Sequence, residues 1–182
     1  MAHDDWVTFI AAPVAVFAAA SAYGTQYTTV EQAQKLVFGA GAQFERRDLK
    51  LSKEMVRDIE KRAGVKVRVP EVALWEVSEK GKPAGYFIVD EVYGKHEFIT
   101  YALALDTGGK IMQVEILEYR ENHGSQIRFP KWRAQFTGKT SADPVELESD
   151  IENISGATLS CRHVTEGIKR LLVTYDVLLR KS

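Results

Sequence analysis

Near the C-terminus, Ser155-Gly156-Ala157-Thr158 places two hydroxyls around the two smallest residues. Such a sequence suits a phosphate. The backbone is bare enough for its N–H groups to approach phosphate oxygens, and a hydroxyl can be esterified. The residues that follow say where that phosphate would sit. Val164, Ile168, Leu171, Leu172, Tyr175, Leu178 and Leu179 recur at the three- and four-residue steps of one helix face. Glu166, Lys169, Arg170 and Arg180 fall between them, on faces expected to meet water. The spacing predicts a long amphipathic C-terminal helix, with Ser155 as its N-cap and Thr158 in its first turn. There the backbone donors lack partners and the helix dipole is positive, so an anion is favoured. Taken alone, the same four residues also describe a plain capped helix start.

The context adds to the motif. Upstream runs Asp150-Ile151-Glu152-Asn153-Ile154. Earlier, Gly108-Gly109-Lys110-Ile111-Met112-Gln113-Val114-Glu115-Ile116-Leu117 reads as a turn and a strand. It is followed by Glu121-Asn122-His123-Gly124 and by Trp132-Arg133-Ala134-Gln135-Phe136. In this order, over about residues 84–180, the chain resembles the FMN-binding domain family. Members include the FMN-bearing subunits of the Rnf and Na+-translocating NADH:quinone reductase complexes. The family usually has an acidic residue three positions before the motif's Ser or Thr; here that position is Glu152, with Asp150 as the other candidate. Asn122-His123 stands where the family has Thr-Pro. Gly94-Lys95-His96-Glu97-Phe98-Ile99-Thr100 and Leu159-Ser160-Cys161-Arg162-His163-Val164-Thr165 resemble a small periplasmic single-domain branch.

The resemblance implies a cofactor, FMN, joined to Thr158 by a phosphoester bond. A separate flavin transferase would make that bond from FAD and would own the Mg²⁺ involved, because a threonine hydroxyl is not nucleophilic unaided. It further implies that Ser155, Gly156 and Ala157 cradle the phosphate, and that Glu121, Asn122, His123 and Gly124 face the flavin. His123 is the possible proton donor to reduced flavin. Trp132 and Phe136 are candidates to stack on the ring, although core packing competes. Arg162 and His163, near the helix start, are candidates for phosphate contact. The implied protein is an extracytoplasmic electron carrier rather than a stand-alone enzyme, with membrane or periplasmic redox proteins as partners. Two alternatives remain at this point: a flavin-dependent reductase of a small substrate, and a flavin-free binding module on the same fold.

Composition bounds these readings. With 182 residues, 45% hydrophobic and 27% charged, the chain can build one domain with a proper core. A net charge of −1 argues against a nucleic-acid partner. The single cysteine, Cys161, excludes an intrachain disulfide, a C-x-x-C pair and a four-cysteine cluster. Its place in the helix's first turns would favour a thiolate, against the plainer reading of a small buried side chain. Cys161, His163 and His123 make a poor zinc set, because C-x-H in a helix points to different faces; no metal is expected. Residues 6–22 are apolar and alanine-rich, too short for a membrane span, and end in Ala20-Ser21-Ala22, a small-x-small cleavage pattern. They read as a signal or leader segment over residues 1–22, although Met1-Ala2-His3-Asp4-Asp5 lacks the usual basic start.

The elements that must position the site follow from turn signals. Residues 23–65 are predicted as an N-terminal helical segment. Its first helix begins at a Thr28/Glu31 capping box and stops at Gly39; its second runs from Ser52 through Met55, Ile59 and Ala63 to Gly64. Residues 66–182 are predicted as an α+β domain. Strands are expected over 66–69, 72–77, 85–90, 98–105 and 111–119, with turns at 79–82 and 106–109. Short connections make this an antiparallel β-meander, with flanking helices able to cover one face.

Overall fold

The computed structural model describes residues 25–179; the leader reading for residues 1–22 lies outside them. The order is β1 (Thr25–Gln26), α1 (Val30–Phe38), β2 (Ala42–Lys50), α2 (Lys53–Ala63), β3 (Glu71–Glu79), β4 (Lys82–Tyr93), β5 (Phe98–Leu105), β6 (Ile111–Tyr119), α3 (Pro130–Arg133) and α4 (Thr158–Leu178). Short 3-10 turns, Ser125–Arg128 and Ala134–Phe136, flank α3. The six-stranded sheet has the order β1-β6-β5-β4-β3-β2, every pair antiparallel. The α+β meander expected from the sequence is therefore present.

Helices cover both faces rather than one. The alternation along β5 shows why: Ile99, Tyr101, Leu103 and Leu105 join the core beneath α2 and α4, whereas Ala102 and Ala104 join a second core with Ala33 of α1. A strand buried on both sides reads as a continuous apolar run, and β5 does.

Local signals set most boundaries. Ser52 Oγ accepts the Met55 N–H at 3.3 Å, and Gly64 closes α2 with φ of 69°. The box on α1 sits one residue later than predicted. Thr29 accepts the Gln32 N–H at 3.2 Å, and Gln32 Oε1 accepts the Thr29 N–H at 2.9 Å. Residues 66–69 form a loop, not a strand, because the Val67 N–H donates to Glu60 Oε1 on α2 at 3.0 Å. The predicted helical segment over 23–65 also contains β2, which the sequence reading missed. It is a charged edge strand, largely exposed, whose Arg46 lies 5.2 Å over the Trp75 ring.

Helix α4 positions the site, and its seat is tight. Gly167 lies against β4 and β5: a Cβ there would fall 2.4 Å from the Tyr101 hydroxyl and 2.8 Å from Val92 Cγ1. One turn on, Arg170 Nη2 donates to Asp90 Oδ2 at 2.6 Å, and the fully buried Tyr101 donates to the same oxygen. Arg170 is thus buried and paired, where the sequence pattern assigned it to water. Burial, with the Asp90 charge beside it, pushes the Tyr101 phenol well above its ordinary pKa. At the other end of the same face, α2 is held by Arg62 on Asp176 at 2.7 Å.

Replacing Gly167 by Val should overpack this contact and lower stability by about 1–3 kcal/mol. Thermal unfolding followed by circular dichroism should show a fall of roughly 2–4 °C for each kcal/mol. An unchanged midpoint would mean that α4 lifts off the sheet without cost.

Candidate functional site

The chain reaches α4 through a turn. Ala157 donates its N–H to Ile154 O at 2.9 Å, and Gly156 at the third position has φ of 82°. Glycine supplies that conformation freely, which is why it stands there. Ser155 lies inside this turn and is exposed, so it is not the N-cap that the sequence suggested. The cap is Ala157, which has no side-chain acceptor, and Thr158 is the first helical residue. The N–H groups of the first turn are therefore left without a side-chain cap at the positive end of a 21-residue helix.

Three segments distant in sequence meet around this helix start. The hairpin turn of residues 94–97, the loop of 121–124 and the turn and helix start of 156–160 enclose a groove of about 610 Å³. Its lining includes Lys95, His96, Asn122, His123, Gly156 and Thr158. This volume is within the range of about 300–1,000 Å³ for small-molecule sites.

Each wall is fixed by hydrogen bonds. Glu121 Oε1 accepts the backbone N–H groups of Lys95, of His96 at 2.6 Å and of Glu97 at 3.1 Å. Partial burial works to raise its pKa, but those three donors prevail and hold the carboxyl below its ordinary value. The Tyr119 hydroxyl, at the end of β6, donates to His123 O and lies 3.0 Å from Ser160 Oγ on α4. Gly124 has φ of 90°, and a Cβ on it would fall 3.0 Å from that of Ala157. Loop and helix start therefore touch through glycine and alanine. His163 Nδ1 lies 3.2 Å from Gly94 O and ties α4 to the 94–97 hairpin.

Several candidates take other places than the sequence suggested. Trp132 and Phe136 are buried and pack edge-to-face with centroids 5.2 Å apart, so they belong to the core rather than to a ring-stacking surface. Trp132 Nε1 donates to Glu152 O at 2.8 Å and so anchors the approach to the motif. Glu121 does line the groove, with one carboxylate oxygen engaged by the 95–97 backbone. Arg162 is exposed and outside the groove lining, and His163 faces the hairpin. Cys161 is buried, and burial raises its thiol pKa, which opposes the thiolate that the helix dipole would favour. Asp150 accepts from Lys139 Nζ at 2.7 Å and from the Glu146 N–H at 2.7 Å, and is tied up in its own loop. Glu152 has an exposed side chain, free of such bonds.

Sequence reasoning missed Tyr119, Ser160 and Asn153, and gave Lys95 and His96 no role. Asn153 Nδ2 lies 3.1 Å from Thr158 Oγ and donates to it. None of these carries a local pattern; Tyr119, Ser160, Lys95 and His96 meet because the sheet brings the ends of β4 and β6 beside α4, and Asn153 reaches Thr158 across the turn at 154–157. A second hollow of about 740 Å³ lies beyond His163, lined by charges of both signs, among them Arg68, Asp90, Glu166 and Arg170. Among the described residues, no group of three or more His, Cys, Asp or Glu is arranged to hold a metal ion.

Glu121→Gln should weaken the clamp on the 94–97 turn. Hydrogen exchange at the Lys95, His96 and Glu97 amides should speed up, with the global fold retained. In the native chain the folded pKa is depressed. The clamp's contribution is therefore present above the unfolded glutamate pKa of about 4.3, and is lost as pH falls through the lower folded value. Protection at those amides, relative to their intrinsic exchange at each pH, that ignores both the substitution and pH would refute the clamp.

No curated protein matches the chain in sequence. Among solved structures, NqrC of Shewanella oneidensis is similar in fold, with a TM-score of 0.55 and 16% identity over 82% of this chain and 89% of that one. At that identity the likeness concerns the fold alone. Residues 94–173, from the groove hairpin into α4, match the FMN-binding domain family. Over these residues, under half of the chain, it is similar to the FMN-binding domain family, and the match supports FMN as its cofactor.

Proposed function

We propose that this chain is an extracytoplasmic electron carrier whose FMN is joined to Thr158 through a phosphoester bond made by a separate flavin transferase. One observation carries the reading. Thr158 opens α4 with its side chain part-exposed in the 610 Å³ groove, beside first-turn N–H groups that no side chain caps. A phosphate on Oγ would lie where those donors and the helix dipole favour it.

The residues present fit the group. A Cβ at Gly156 would meet nothing within 4 Å, so the turn leaves free space at the groove. Beside Thr158 Oγ, Asn153 Nδ2 is a donor at 3.1 Å. Lys95 and His96 line the facing wall. FMN supplies one- and two-electron transfer; the chain holds it, sets its surroundings and leaves an approach for partners. Asn122, His123, Gly156 and Leu159 are exposed around the groove, which suits brief docking of a redox protein better than closure over a small substrate. Location outside the cytoplasm rests on the leader-like pattern of residues 6–22. No helix among the described residues is long and apolar enough to cross a membrane.

Intact mass of the chain co-produced with a flavin transferase tests the linkage. The native chain should gain the mass of one FMN less water, retained on denaturation, and Thr158→Ala should gain none. An unmodified native chain that releases its flavin on denaturation would leave FMN reversibly bound and remove the phosphoester.

A further inference from the structure

We propose that Asn153 is the positioning residue for flavin attachment, holding Thr158 Oγ toward the groove and stabilising the charge that develops on it; this rests on the phosphoester reading above. The geometry is specific. Asn153 Nδ2 carries two hydrogens: one reaches Thr158 Oγ at 3.1 Å and the other points to Glu148 Oε1 at 3.4 Å. An oxygen that accepts from Asn153 must direct its own hydrogen elsewhere, and the open side is the groove. The hydroxyl is thereby oriented for an outside base to take its proton.

The surroundings are built to keep this arrangement. Glu148 has φ of 67° and Val145 has φ of 42°, unfavourable for residues other than glycine and most of all for a β-branched one. Asp150 holds that loop through the Val145 N–H at 3.2 Å, the Glu146 N–H at 2.7 Å and Lys139 Nζ at 2.7 Å. The loop in turn places Glu148 against the Asn153 amide, and the turn at 154–157 folds Thr158 back onto it. The other end of that amide is unsatisfied: Oδ1 is buried and accepts nothing. Stability alone disfavours a buried acceptor without a donor. An apolar side chain of the same size would avoid that cost but would give nothing to Thr158 Oγ.

The transfer balances as follows. With FAD as donor, the Oγ–H proton passes to a base of the transferase and a bond forms between Oγ and the flavin-side phosphorus. The bond from that phosphorus to the bridging oxygen breaks, and AMP departs with that oxygen. No electron is gained or lost. As the proton leaves Oγ, negative charge grows there and the Asn153 N–H is already in place to receive it.

The test uses full-length chain, purified transferase, FAD and Mg²⁺, with the rate of mass gain read by mass spectrometry at saturating FAD. Asn153→Leu keeps size and removes both polar ends. It should be modified roughly 10- to 100-fold more slowly than the native chain, as when one supporting donor is lost, while its thermal midpoint stays level or rises. A structural role would move the two readouts together. Should Asn153→Leu fail to fold, Asn153→Asp decides: it has the native shape, but its carboxylate cannot donate to Oγ, and the same slowing is expected. A folded variant modified at the native rate overturns the inference. A native chain that gains no mass overturns instead the phosphoester reading on which it rests.

Discussion

The seat of α4 on the sheet is the constraint on which the site depends. Gly167 permits the close approach, and the Asp90–Arg170–Tyr101 cluster fixes its register. A buried ion pair adds little net stability against an apolar alternative, because both charges must leave water. Its effect here is on placement. A helix slid by one residue would strand a guanidinium and a carboxylate without partners, at a cost far above that of the correct seat. The helix start at Thr158 is thus set by contacts some nine to twelve residues downstream. The groove inherits its geometry from the core.

The same sheet supplies the other walls. β4 and β5 end in the 94–97 hairpin, and β6 ends at Tyr119, next to the 121–124 loop. The Tyr119 hydroxyl lies between that loop and Ser160. Burial raises its pKa, so it stays protonated and able to donate. Glu121, which the family resemblance places at the flavin, lines the groove and also holds its opposite wall through the N–H groups of residues 95–97.

What the sequence made legible was whatever depends on neighbours in the chain. The α4 stripe, the α2 caps and the hairpin turns are local patterns with local causes. The misses share another cause. β2 carries Glu45-Arg46-Arg47-Asp48 because it is an edge strand with little to bury, so no apolar alternation marks it. Arg170 looks like a solvated helix residue until β4 brings Asp90 to it. Ser155 looks like an N-cap, yet Gly156 takes the positive φ of a turn and moves the cap to Ala157. Asn153 is silent in the sequence because its partner, Thr158, lies across that same turn. The groove motif was readable; the residues that hold it were not, since they are chosen by three-dimensional proximity.

The stretch before the motif divides its work between two acidic residues. Asp150, with its carboxyl held below the ordinary range by Lys139 and backbone N–H groups against the opposing effect of burial, builds the loop and faces inward. Glu152 does the reverse. Its main chain is fixed at both ends, the N–H on Gln135 Oε1 at 2.7 Å and the carbonyl under Trp132 Nε1 at 2.8 Å, while its carboxylate projects into solvent. This also explains the aromatic segment. Trp132 does not need to touch a flavin to matter to the site; by pinning Glu152 it fixes the backbone from which Asn153 and the turn to Thr158 depart. Of the two acidic candidates, the geometry therefore leaves Glu152 as the one exposed to solvent, on a rigid frame six residues before Thr158. The extra methylene that separates Glu from the family's usual Asp lengthens only the exposed side chain and leaves that frame unchanged.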